Sequence, residues 1–171
     1  ARALVILSLQ KKLRIACFRE LQKSIDESVY QTIVNNIIDM HLEDKFEIQA
    51  KTIICKLTKS EFIFFGLRYN INSIKSLARI DIAWVEEARN CSKVTLDKLF
   101  PTIRGVYKED ESGGPFGQGP EIWLTFNPEL DSDEIYKRAI KQREKYFPEF
   151  NFNLVKILES NCENWLLVKS G

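Results

Sequence analysis

Apolar residues recur along this chain at two spacings, and the changes of spacing mark its elements. From Ala1 to about Gln10 the stretch ARALVILSLQ is strongly apolar and predicts a helix. LRIACF, Leu13 to Phe18, is a near-continuous apolar run of strand length between charges. Such runs suit a strand buried on both faces, as in a parallel sheet. Ser24 followed by Glu27 is a capping box, and behind it Ile25, Val29, Ile33 and Ile37 repeat every four residues, with Val34 and Ile38 widening the apolar face. An amphipathic helix to about Met40 is the expectation. FEIQ, KTIICKL and EFIFFGL predict short strands broken by charged turns, two of them forming a small β-hairpin. IDIAWV, Ile80 to Val85, is another apolar strand, and it stops abruptly at Glu86 and Glu87.

Further along, a helix is predicted over Thr95 to Phe100, before Pro101. The segment 105–120 holds five of the chain's seven glycines together with Pro115 and Pro120, and reads as a loop. EIWLTF, Glu121 to Phe126, is a strand ending at Asn127 and Pro128. Asp131, Asp133 and Glu134 then crowd a helix start, while Lys137, Arg138, Lys141, Arg143 and Lys145 fill its later turns, an order that complements the helix dipole. FNLVKIL, Phe152 to Leu158, predicts a last strand. Strands alternating with helices, several apolar throughout, predict an α/β sheet covered on both faces. Chemistry in such sheets sits just beyond the carboxyl ends of the strands.

Composition narrows the choice of chemistry. The 171 residues suit one domain, and 25 Lys plus Arg against 24 Asp plus Glu leave a net charge of +1. No bulk basicity points to nucleic acid, so any such contact must be local. ALVILSL, the apolar stretch from Ala3 to Leu9, falls far short of the about 18 residues of a membrane span. No short apolar signal with a small-residue cleavage site opens the chain, which argues against secretion. The chain starts at Ala1 rather than Met and runs straight into a helical pattern, as if a preceding stretch had been removed. Cys17, Cys55, Cys91 and Cys162 lie tens of residues apart with no CxxC pair, as expected of reduced, buried thiols. His41 is the single histidine and stands at the end of a helical pattern, and no GxSxG occurs, so zinc and acyl-transfer chemistry are poorly supported.

Two strand ends carry chemistry. A buried strand ending in adjacent acids is what nucleotide hydrolysis requires, with one carboxylate to hold magnesium and its waters and the next to polarise the attacking water. Because side chains alternate along a strand, Glu86 would face the metal and Glu87 the water. The same two acids also suit the start of a following helix, whose dipole favours negative charge. Thr125 or Asn127 in TFNP could hydrogen-bond a γ-phosphate or the lytic water; equally, Asn-Pro initiates turns and helices. The basic residues from Lys137 to Lys145 could face DNA phosphates or form a solvated helix end.

Taken in order, RIACFRELQKSIDESVY, FIFFGLRYNINSIKSLARIDIAWVEEA, PTIR and EIWLTFNP resemble the ATPase domain of the large terminase subunit of tailed bacteriophages, from about Ala1 to Tyr136. The resemblance implies a P-loop NTPase core of the ASCE type, with a mainly parallel central sheet flanked by helices, filling residues 1–171 as the motor domain. It implies ATP and Mg2+ as cofactors, and double-stranded DNA, the portal protein and the small terminase subunit as partners. The motor would act as a homo-oligomeric ring on the portal, in the host cytoplasm and away from any membrane. Residue by residue, Glu86 matches the Walker B acid that positions magnesium, Glu87 the catalytic glutamate, and Thr125 with Asn127 the coupling motif. Arg19, Arg104 in PTIR, Lys75 and Arg79 are the candidates for a cation near the phosphates, where a fork of donors stabilises charge spread over transferring oxygens.

Four departures from the family pattern stand out. No Gly-Lys pair occurs anywhere in the chain, so the GxxxxGK[ST] loop that wraps phosphates is missing and would fall just before Ala1. The loop 105–120 looks like an insertion, and ESNCENW, Glu159 to Trp165, matches only loosely the turn the family places after a late strand. The family's RNase H-like nuclease domain is absent. Two alternatives therefore stay open: a non-catalytic fragment or prophage remnant acting as a binding or assembly module, and a helicase-like P-loop ATPase.

Overall fold

A computed structural model describes residues 1–20, 28–68, 79–103, 120–127, 133–137 and 165–169. Seven strands form one sheet: β1 (Arg14–Arg19), β2 (Phe46–Gln49), β3 (Thr52–Cys55), β4 (Glu61–Gly66), β5 (Ile82–Val85), β6 (Glu121–Thr125) and β7 (Trp165–Lys169). Their order is β2-β3-β4-β1-β5-β6-β7. The four central strands β4, β1, β5 and β6 run parallel, while β3 pairs antiparallel with β4 and with β2, and β7 pairs antiparallel with β6. The expected small hairpin is β2–β3, and β4 extends it into a three-stranded meander. The sheet is thus parallel at its centre and antiparallel at both margins, rather than parallel for most of its width.

The continuous apolar runs are explained by burial on two sides. Ile15, Cys17, Ile82, Trp84 and Trp123 face one layer, and Ala16, Phe18, Ala83, Val85, Ile122 and Leu124 face the other. On the first face lie α1 (Arg2–Gln10) and α2 (Tyr30–Asp39), which pack together through Leu4, Val5, Ile33, Val34 and Ile37. Ile38, expected to widen that stripe, is instead 45% exposed. On the second face, α3 (Lys93–Thr102) contributes Leu96 and Leu99, and Ile135 of the short turn α4 (Glu134–Tyr136) joins them.

Two helix boundaries differ from expectation. The helix α3 starts at Lys93 because the Ser92 hydroxyl accepts a hydrogen bond from Thr95 N, at 3.1 Å, as an N-cap. It also runs through Pro101 to Thr102. A proline removes one donor, but here it stands in the last turn, and Ile103 N still donates to Leu99 O at 3.1 Å while the Thr102 hydroxyl donates to Lys98 O at 2.7 Å. His41 is exposed and follows α2 with φ 54°, the left-handed cap conformation that ends many helices.

The amino ends of the parallel strands are closed by a polar network. The buried Ser60 hydroxyl accepts from Leu13 N at 2.9 Å and lies 2.8 Å from Lys11 O and 3.0 Å from Ser8 O. The Thr58 hydroxyl donates to Ser8 O at 2.6 Å. Asp81, just before β5, accepts from Arg14 N at 2.7 Å.

Outside the described residues lie the Ser24 and Glu27 capping box, Lys75, Arg104, the loop 105–119, the basic positions from Arg138 to Lys145, the FNLVKIL stretch and Cys162. Among the described residues no helix is long and apolar enough to cross a membrane.

Candidate active site at the tips of the parallel strands

Strand register assembles the site. Phe18 is level with Val85, and Val85 with Leu124, so the next residues along, Arg19, Glu86 and Thr125, form one row across three neighbouring parallel strands. Glu86 N donates to Phe18 O at 2.9 Å, which carries the pairing one step past β5. Side chains alternate along a strand, so these three share the face that holds Cys17, Trp84 and Trp123. Gly66 of β4 stands level with Arg19, where the lack of a side chain leaves room beside the guanidinium.

The two acids have different environments. Glu86, with its side chain 19% exposed, accepts a hydrogen bond from the Ser28 hydroxyl at 3.0 Å on Oε2, and Arg19 Nε lies 3.7 Å from the same oxygen. Glu87 is 51% exposed, is ion-paired with the far end of the Arg19 guanidinium, and accepts from the Asn90 side-chain amide at 3.0 Å. Its backbone is left-handed, with φ 48° and ψ 46°. A non-glycine residue there costs on the order of 1 kcal/mol, a conformation found where surrounding structure demands it. Here it turns the chain sharply off β5 into the short 3-10 turn Ala88–Asn90 and carries the second carboxylate away from the row. The turn after the acids is real, yet Glu87 makes no side-chain cap to it.

One guanidinium thus faces two carboxylates, the arrangement in which its planar fork is most useful. Arg79 is elsewhere: it pairs with Asp81 at 3.8 Å, at the amino end of β5, roughly 16 Å along the strand from Glu86. The structure therefore separates two cations that sequence alone leaves equal. Thr125 is 6% exposed, accepts from the Trp84 indole at 3.1 Å and lies 3.5 Å from Val85 O, whereas Asn127 is exposed beyond the strand. Behind the row, burial pushes the Cys17 thiol well above its ordinary pKa, and the Glu86 charge adds to the rise.

Ser28 and Trp84 are the participants that sequence reasoning missed. Trp84 carried a signal, because it alternates onto the same face as Glu86. Ser28 carried none, being 58 residues away from its partner. The oxygen donors gathered here suit a hard cation that keeps its waters and shares phosphate oxygens. No group of three or more His, Cys, Asp or Glu side chains able to cage a metal occurs among the described residues.

Comparison with known proteins bears on the fold and the family. The chain resembles the large terminase of a thermophilic bacteriophage in fold, with a TM-score of 0.60 at 9% identity over 84% of this chain. It spans 34% of the length of that protein. No curated protein sequence matches it. A family model described as phage terminase large subunit matches residues 1–161. On that match, the chain belongs to the phage terminase large subunit family.

Proposed function

We propose that residues 1–171 are the motor part of a DNA-packaging ATPase with a P-loop core, and that the row Arg19, Glu86, Thr125 with the neighbouring Glu87 is its hydrolytic centre. The observation that carries this reading is the convergence of a cation, two differently placed carboxylates and a hydroxyl at the carboxyl ends of three adjacent parallel strands. Ligands of open α/β sheets bind at this edge.

Each residue has a role set by its environment. Glu86, recessed and held by Ser28, is the acid that would hold Mg2+. The ion, when bound with ATP, would neutralise charge on the phosphate oxygens. Glu87, more exposed and turned out of the row, is placed to accept a proton from an attacking water. Arg19 keeps the two carboxylates from repelling one another, and its donors can turn to phosphate oxygens. Thr125 is anchored to Trp84, so a movement of β6 or β5 is felt by the other strand, and Asn127 stands where β6 leaves the sheet. That is a route by which hydrolysis could be passed on to a DNA-gripping element. Double-stranded DNA, the portal, the small subunit and a ring of copies complete the proposed setting.

The test is Glu87→Gln in the full-length gene product. Turnover of ATP falls by about 10²–10⁴-fold, the usual contribution of a general base, while nucleotide binding persists. Unchanged turnover contradicts the assignment.

A further inference from the structure

Ser28 lies in the helical turn that runs directly into α2, with Val29 at helical angles of φ −63° and ψ −47°. A serine inside a helix ordinarily turns its hydroxyl to solvent or to the carbonyl one turn back. The Ser28 hydroxyl instead donates across to Glu86 Oε2 at 3.0 Å. The backbone around it is held by other means: Val29 is fully buried, the Tyr30 hydroxyl donates to Gln49 O at 2.7 Å, and the Tyr30 ring meets Phe64 edge-on at 5.2 Å. The hydroxyl of Ser28 is therefore not needed to build α2, and its partner is the acid.

We infer that Ser28 is a positioning residue for Glu86. Its donor fixes the carboxylate's orientation on the first face of the sheet, and it does so from a rigid helix rather than from β5 itself. Arg19 and Ser28 address the same oxygen from different elements, the one at 3.7 Å and the other at 3.0 Å. When Arg19 turns towards phosphate, the Ser28 hydroxyl still holds Glu86 Oε2 in place for a cation. Groups that orient a metal-holding carboxylate typically contribute about 10-fold or more to metal affinity. The inference rests on the reading of Glu86 as the magnesium-holding acid.

The experiment measures nucleotide binding by the full-length gene product, with a non-hydrolysable ATP analogue, over a series of Mg2+ concentrations and again in EDTA. Ser28→Ala should raise the Mg2+ concentration needed for half-maximal metal-dependent binding by about 10-fold, with binding in EDTA and the melting temperature unchanged. Ser28→Thr, which keeps the hydroxyl, should restore the original value. An unaltered Mg2+ requirement in Ser28→Ala, or equal impairment of Ser28→Ala and Ser28→Thr, overturns the positioning role. Glu86→Gln separates the two levels. If Glu86→Gln shifts the Mg2+ requirement and Ser28→Ala does not, only this inference fails; if Glu86→Gln leaves it unshifted, the reading of the site fails with it.

Discussion

The two ends of the parallel strands are both polar, and they are polar in different ways. At the amino ends, beside the ion pairs Arg14–Glu61 and Arg79–Asp81, the hydroxyls of Ser60 and Thr58 and the carboxylate of Asp81 bond to backbone groups: Leu13 N, Ser8 O, Lys11 O and Arg14 N. At the carboxyl ends, Arg19, Ser28, Glu86, Glu87 and Asn90 contact one another through their side chains. Backbone partners cannot leave without undoing the fold. Side-chain partners can rotate away and be replaced by a ligand of matching charge. The first end closes the sheet, and the second is where the proposed site lies.

If this contrast is sound, substitutions at the two ends divide between stability and binding. Ser60→Ala leaves Leu13 N buried without its acceptor and should destabilise the fold by about 1–3 kcal/mol. That corresponds to a drop in melting temperature of several degrees, roughly 2–4 °C per kcal/mol for a chain of this size, with nucleotide affinity at the strand tips unchanged. Calorimetry of the variant checks it. A loss of binding without a loss of stability would break the comparison.

A smaller effect comes from the thiols. Burial raises the pKa of both Cys17 and Cys91, and the carboxylate of Glu20 adds to the rise at Cys91. Both thiols keep their protons in the folded state, while the unfolded chain releases them above about pH 8.5. Stability is therefore fully present below that pH and falls as pH rises through it, by roughly 1 kcal/mol per thiol one unit higher. Iodoacetamide at pH 8 should leave Cys17, Cys55 and Cys91, all buried, unmodified until denaturant is added. Rapid labelling of Cys17 in the folded protein would mean that the layer behind Arg19 and Glu86 is open to solvent.

Much of the centre of the fold was legible in the chain. The runs containing Ile15 to Phe18, Ile82 to Val85 and Ile122 to Leu124 are apolar without alternation because both faces of each strand are covered. The margins were harder to read. β7 at Trp165–Lys169 was not anticipated, since a five-residue run beside acidic and polar residues carries little periodic signal. The Ser92 cap of α3 carries little signal in the chain, because no Glu or Gln follows it three residues on to complete a capping box. The acids at the end of β5 were plain, but their partners were not. Strand order decides that Arg19, and not Arg79, stands beside Glu86, and order across a sheet is invisible in local spacing.

The central claim is that the Glu86 tip of β5 holds a magnesium-bound nucleotide. The most direct measurement is the affinity of the full-length gene product for a non-hydrolysable ATP analogue, with and without Mg2+, in the original protein and in Glu86→Gln. The account predicts that Mg2+ strengthens binding in the original protein, and that Glu86→Gln loses this gain while keeping its melting temperature. Equal strengthening by Mg2+ in both proteins would contradict it.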